Sequence, residues 1–248
     1  MRSDEFIASL CESYGEKGAY EKMKRDLPLG KDSSGSVVFA RKEDTPFSLR
    51  HVAVTGAYKT AFIRRLLLTL SRFHTEEEIC FFVLSPKADY GELVRVKAMD
   101  ATVPYIRTKE DFAVAIATLK TLLKLREGGR GYPRLVLVLD SIEELNDCNK
   151  NADLEEYRDV FELVNCRQDV EVITGAELTK SIFSGYPSAF VGAKNCLVAT
   201  REQGKADVTY FEEGTSTGLP LPITYPSEPS FMETVVLFNS MKKVGAHE

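Results

Sequence analysis

The chain has no tryptophan, only three histidines and five cysteines, and no apolar run near the ~18 residues a membrane-crossing helix requires. Cys11, Cys80, Cys148, Cys166 and Cys196 are scattered, odd in number and free of CxxC spacing. That argues against a disulfide framework or zinc site and for reduced, mostly buried thiols in a cytosol. His51, His74 and His247 have no metal-ligand spacing to them. The opening MRSDEF is polar and lacks the pattern of a signal peptide. Thirty-two Lys and Arg against 37 Asp and Glu give a net charge of −5. There is no basic excess to support broad nucleic-acid binding, although a local basic patch stays open. What remains, 44% hydrophobic and 28% charged over 248 residues, suits one large globular domain or one and a half.

Helix and strand signals alternate along this length. Residues 4–25 are charged, with Phe6, Ile7, Leu10 and Tyr14 at helical spacing. Leu27-Pro28-Leu29-Gly30 and Asp32-Ser33-Ser34-Gly35 read as turns, followed by a short strand at Val37–Ala40. Apolar runs at His51–Val54, Ile79–Leu84, Leu135–Asp140, Val170–Gly175 and Cys196–Ala199 predict buried strands, with a possible edge strand at 208–211. Helical periods cover Lys59–Phe73, Phe112–Leu125 and roughly 153–165. A Pro-rich stretch at 220–229 precedes a closing helical pattern at 230–243. Such alternation predicts an α/β fold, a mostly parallel sheet with helices on both faces.

The strand around Val54 runs through Thr55-Gly56-Ala57-Tyr58 into a helix that opens with Lys59-Thr60. This is the frame of the phosphate-binding loop G-x-x-x-x-G-K-[ST]. In such a loop, backbone N–H groups and the helix N-terminus wrap phosphates, the Lys contacts them and the hydroxyl holds Mg²⁺. Its two signature glycines are here Ala53 and Tyr58. Some 80 residues on, the strand ending in Asp140 fits a Walker-B acid, which would share the Mg²⁺ site with Thr60. Taken singly, Asp140 fits a helix cap as well, and Lys59 and Thr60 fit an ordinary first helical turn. ATP hydrolysis needs a base to orient the attacking water. Ser141 follows the acid, so the nearest candidates are Glu143 and Glu144.

Over roughly residues 27–200 the chain resembles the FtsK/SpoIIIE ATPases, which include DNA-translocating motors and the EccC/EssC ATPases of type VII secretion. Leu27-Pro28-Leu29-Gly30 through Phe39 is similar to that family's opening segment, and Thr55-Gly56 with Lys59-Thr60 to its TGSGKS loop. Phe81–Lys87 resembles its DPK strand end, Val103-Pro104-Tyr105 its IPHL, and Leu137–Asp140 its Walker-B strand. Val172-Ile173-Thr174 falls on the sensor strand, so Thr174 is the implied sensor. Ala53, Tyr58, Ser85, Ser141 and Gly175 stand where the family places functional residues. Arg158 and Arg167 lie where a trans-acting arginine finger is expected, and either fits a solvated helix face.

The resemblance implies a RecA-like P-loop NTPase core over 27–212, after a helical lead-in at 1–26 and before a C-terminal Pro-rich segment and closing helix at 213–248. It further implies a cytoplasmic ATPase module with an eroded nucleotide site, most like the degenerate modules of the EccC/EssC branch. ATP and Mg²⁺ would bind weakly or not at all, and if they bind, through Thr55, Gly56, Ala57, Tyr58, Lys59, Thr60 and Asp140. The expected partners are other ATPase modules or subunits of a translocase and a secreted polypeptide, with DNA the lesser candidate. The alternative is a working motor for DNA or polypeptide in which Glu143 or Glu144 serves as base. Arg64-Arg65, Lys120, Lys124 and Arg126 are expected on helix surfaces.

Overall fold

The computed structural model describes residues 11–15, 17–19, 21–22, 26, 28–39, 52–56, 59–87, 90–91, 93–95, 100–128, 131–141, 164, 167, 169–176, 195–202, 205–212 and 219–221. Residues 11–15, 17–19 and 21–22 are helical. The helix expected at 153–165, apart from Val164, and the one at 230–243 lie outside the described residues, as do Cys148 and Cys166.

Strands β1 (Pro28–Lys31) and β2 (Val37–Phe39) form an antiparallel hairpin. The sequence reads Leu27–Gly30 as a turn, but Pro28–Lys31 is strand and, among the described residues, the turn lies at Asp32–Ser36. There Asp32 Oδ1 accepts from the Ser34 and Ser36 N–H groups at 2.8 and 3.0 Å, and Gly35 takes φ +85°, a value glycine adopts without strain. Leu29, 2% exposed, anchors the hairpin on the core.

The main sheet has eight strands in the order β10-β9-β8-β3-β7-β6-β4-β5. They are β3 (Val52–Gly56), β4 (Ile79–Leu84), β5 (Ala101–Thr102), β6 (Arg134–Leu139), β7 (Val170–Ala176), β8 (Asn195–Glu202), β9 (Lys205–Glu212) and β10 (Leu219–Leu221). From β8 to β5 every neighbouring pair is parallel, while β9 and β10 are antiparallel. The strand read at 208–211 is thus not an edge, because β10 covers it.

Both faces of the sheet are covered, and strand alternation decides which side chain meets which helix. Phe81 and Val83 of β4, Val136 and Val138 of β6, and Ile173 of β7 pack under α1 (Lys59–Phe73) with Phe62, Ile63, Leu66, Leu67 and Leu70. Their neighbours Cys80, Phe82, Leu84, Leu135, Leu137, Leu139, Val170 and Val172 point the other way, onto α2 (Lys109–Leu125) and its Phe112, Ile116, Leu119 and Leu123. This two-sided burial is why β4 and β6 read as unbroken apolar runs. Each fully buried side chain of this kind contributes roughly 1.5–3 kcal/mol. Helix α2 begins three residues before the periodic run because Thr108 and Asp111 form a reciprocal capping box.

At the N-terminal end of the sheet, Arg134 bonds Glu171 at 2.7 Å and reaches His74 Nε2 at 3.2 Å, while His74 Nδ1 donates to the Leu70 carbonyl at 2.9 Å. This buried polar group ties the end of α1 to β6 and β7. It lies at the opposite end of the strands from the Walker-type residues.

Candidate functional site

Parallel strands converge their carboxyl ends on one rim, where α/β proteins bind ligands. Here that rim carries Gly56 of β3, Ser85 after β4, Asp140 after β6 and Gly175 near the end of β7. One strand, β7, separates β3 from β6. Helix α1 starts at the same rim, so Lys59 and Thr60 occupy its first turn.

The structure brings Thr60 and Asp140 together as the sequence implies. Thr60 Oγ1 donates to Asp140 Oδ2 at 2.6 Å. Sequence reasoning missed a second donor: Tyr90 Oη reaches the same oxygen at 3.0 Å. Tyr90 and Asp140 are both 0% exposed. Asp140 Oδ1 accepts from the Ser141 N–H at 2.8 Å. Nothing around Asp89-Tyr90-Gly91 distinguishes Tyr90 from a turn aromatic, so no local signal could have found it.

Two further residues shape the acid. Ser141 holds φ +56°, left-handed backbone that is uncommon for a residue with a Cβ. Its hydroxyl is buried without a hydrogen-bond partner among the described residues. Gly175 lies against the carboxylate so closely that a Cβ there would overlap Asp140 Oδ1 and come within 2.9 Å of Ile63 Cδ1. The absence of a polar side chain at 175 therefore has a steric counterpart in the position of Asp140.

The strand before the loop is longer than expected. β3 stays in register through Thr55↔Ala176 and Gly56↔Ala199, so Ala53 and Thr55 are paired on both sides and Gly56 on the β8 side. Gly56 closes it with φ +92°, which only glycine adopts readily. Ala57 and Tyr58, between Gly56 and Lys59, lie outside the described residues, as do Glu143, Glu144 and Arg158. Thr174 is buried in β7 opposite Leu139 and Ala53.

A half-buried Lys59 and Thr60 at the start of a 15-residue helix suit an anionic phosphate. A hydrated Mg²⁺ is a different matter. It keeps most of its waters and would need an open carboxylate lone pair to accept from one of them. Of the roughly four lone-pair sites of a carboxylate, three on Asp140 are already met by Thr60, Tyr90 and Ser141, and Oδ1 also faces Gly175. As arranged, this donor set does not fit the metal.

Other singled-out residues serve the scaffold. Ser85 is buried, and its hydroxyl accepts from the Lys87 N–H at 3.2 Å, closing the turn after β4. Arg167 is not poised as a finger: its guanidinium grips Asp169 twice at 2.9 Å and donates to the Leu123 carbonyl at 3.0 Å. Burial raises the Asp169 pKa, but Arg167's bonds and charge, backed by the Arg126 charge, outweigh it and hold the carboxyl below its usual value. A depressed carboxylate contributes stability above the unfolded pKa, about 4, and loses it as pH falls through the folded value. Arg167→Met is expected to flatten that acid-side loss in denaturant titrations from pH 6 to pH 3. An unchanged pH profile would show that the pair contributes nothing.

Two expected surface residues are instead interior. Arg64 is 8% exposed and Arg126 is 5% exposed. Arg126 donates to the Pro133 carbonyl and to Cys80 Sγ at 2.5 and 3.0 Å. Burial pushes the Cys80 thiol up despite the nearby Arg126 charge, which leaves it a packing residue. Among the described residues there is no cluster of His, Cys, Asp and Glu able to hold a metal, and no helix long and apolar enough to cross a membrane.

No family model matches the chain, and no curated protein matches it. Solved structures do. ATPases 2 and 3 of Thermomonospora curvata EccC, in complex with a signal sequence peptide, superpose with TM-score 0.61 at 13% identity over 84% of this chain. The cytoplasmic domain of the Thermomonospora curvata type VII secretion ATPase EccC gives 0.62 at 14% over 82%. EssC ATPases 2 and 3 from Geobacillus thermodenitrificans give 0.56 at 15% over 82%. The chain spans 42%, 26% and 41% of those proteins respectively. At such identities the likeness is one of fold, and that fold is the RecA-like P-loop architecture of the EccC and EssC ATPase domains.

Proposed function

We propose that this chain is an ATPase-fold module of a secretion or translocation machine that binds nucleotide weakly or not at all and acts by interaction or regulation. The observation that carries this reading is the reach of β3. Its residues through Thr55 stand in register between β7 and β8, and Gly56 still pairs with Ala199 of β8. Only Ala57 and Tyr58 are left between strand and helix. A phosphate loop works by turning several consecutive backbone N–H groups onto the ligand. Paired strand backbone has committed those groups to its neighbours. Tyr58 adds a bulky side chain where the loop pattern calls for glycine.

The partners that suit this reading are other ATPase modules of the same machine and a secreted polypeptide, in a cytoplasmic setting. The EccC structure described as bound to a signal sequence peptide supports the polypeptide over DNA. The working-motor alternative rests on one observation, the intact Thr60–Asp140 contact. It would use Lys59 for phosphate and Glu143 or Glu144 as base.

Calorimetric titration of ATP and Mg²⁺ into wild type and Lys59→Ala separates the two. The interaction module predicts dissociation constants no tighter than about 1 mM, near −4 kcal/mol, and no more than about a threefold change on substitution. Micromolar binding that Lys59→Ala weakens at least tenfold, together with Mg²⁺-dependent turnover, would establish the motor instead.

A further inference from the structure

We infer that the Tyr90 hydroxyl is a built-in replacement for the metal-held water at Asp140, so that the acid is closed to a divalent cation by the protein's own donor. The inference deepens the reading of an eroded nucleotide site and rests on it. Its footing is separate, however: the interaction module is argued from β3, and this inference from the surroundings of Asp140.

The chemistry follows from counting donors. A buried carboxylate must have its lone pairs satisfied. In a metal-bound P-loop site, the hydroxyl of the Lys-[ST] pair and a water on the cation can share that task. Here Thr60 supplies the first donor at 2.6 Å and Tyr90 supplies a second, at 3.0 Å, on the same oxygen. The Ser141 N–H takes the other oxygen at 2.8 Å. Tyr90 is held fully buried among the α1-side core residues and belongs to the 85–95 segment, which leads from β4 toward β5. Its phenol therefore cannot be displaced by solvent without opening that core. Water on a metal exchanges, whereas a phenol anchored by its own ring does not. Tyr90 thus holds Asp140 in its bond to Thr60 and acts as a positioning residue for the acid.

Two measurements on the full chain test this without relying on activity. In the first, Ile63 is labelled at its δ1 methyl, which, like Asp140 Oδ1, lies against Gly175. Millimolar Mn²⁺ is then added to wild type and to Tyr90→Phe, with and without ATP, and methyl line broadening is read. Wild type is expected to keep a sharp Ile63 methyl in all conditions, and Tyr90→Phe to show broadening that Mg²⁺ competes away. Broadening in wild type, or its absence in Tyr90→Phe, overturns the inference. In the second, Tyr90→Phe, Asp140→Ala and the double variant are unfolded by denaturant. Tyr90→Phe alone is expected to raise the unfolding constant about tenfold, but to leave it unchanged or lower it once Asp140 is gone, because the stranded hydroxyl is then removed as well. Fully additive effects would mean that the bond does not exist in solution. A wild type that binds ATP tightly yet keeps its Ile63 methyl sharp in Mn²⁺ would discard the interaction module and leave the Tyr90 inference standing.

Discussion

Asp140→Ala is expected to destabilise the fold by about 3 kcal/mol, while Asp140→Asn loses less than half of that. The reasoning rests on which groups are left without partners. Alanine removes the carboxylate that accepts from the Tyr90 hydroxyl, the Ser141 N–H and the Thr60 hydroxyl. Each buried donor stranded in this way costs about 1–3 kcal/mol, and a water entering the space recovers part of the total. Asparagine keeps one oxygen for the Ser141 N–H and offers an amide to hydroxyls that can rotate to accept from it. An acid kept chiefly for its charge on a metal would show the opposite pattern, because its removal would relieve a buried carboxylate and leave the fold unharmed or firmer. Denaturant melts of the two variants, read without nucleotide, decide the matter. Equal losses for Ala and Asn, or a stabilised Asp140→Ala, would contradict a structural role.

How much of this was legible in the sequence depended on the scale of the interaction. The two-sided strands were plain, because β4 and β6 are continuous apolar runs that only double burial explains. The Thr60–Asp140 pairing was also legible, since a strand-loop-helix frame followed by an acid-ended strand brings both residues to one rim. What could not be read was anything set by side-chain reach across the fold. Tyr90 meets an acid 50 residues away. Arg126 and Arg167 sit among charged residues that look solvated by composition, yet each turns inward onto carbonyls and Asp169. The end of β3 is hidden from the sequence for a related reason. Thr55 and Gly56 carry loop-forming character locally, but pairing of Thr55 with β7 and β8 and of Gly56 with β8 overrides it. β1 was read as a turn because Pro28 and Gly30 signal one. Proline is nevertheless tolerated at the start of a strand, and the hairpin with β2 uses that allowance.

Gly175→Ala is expected to be comparably severe, about 3 kcal/mol at the upper end of overpacking costs, or roughly 6–12 °C in Tm for a chain of this size. The backbone of Gly175 has no left-handed angle that would demand glycine, so the effect must come from space alone. Space near the tip of a side chain is usually forgiving, because the tip can swing away. Here it cannot: the carboxylate is pinned by Thr60, Tyr90 and Ser141, and Ile63 is 0% exposed in the α1 core. A methyl at 175 must therefore either break the Asp140 bonds or push α1 off the sheet. The double variant Gly175→Ala/Asp140→Ala tells these apart. If the carboxylate is the obstacle, the added methyl occupies vacated space, and the double variant melts no lower than Asp140→Ala alone. If its Tm falls by the full amount again, Ile63 and α1 bear the strain. A Gly175→Ala protein melting within about 1 °C of wild type would refute the contact itself. The same geometry accounts for the absence of a polar side chain at 175: any side chain there competes with Asp140 for one position, which the acid and its hydroxyl partners hold.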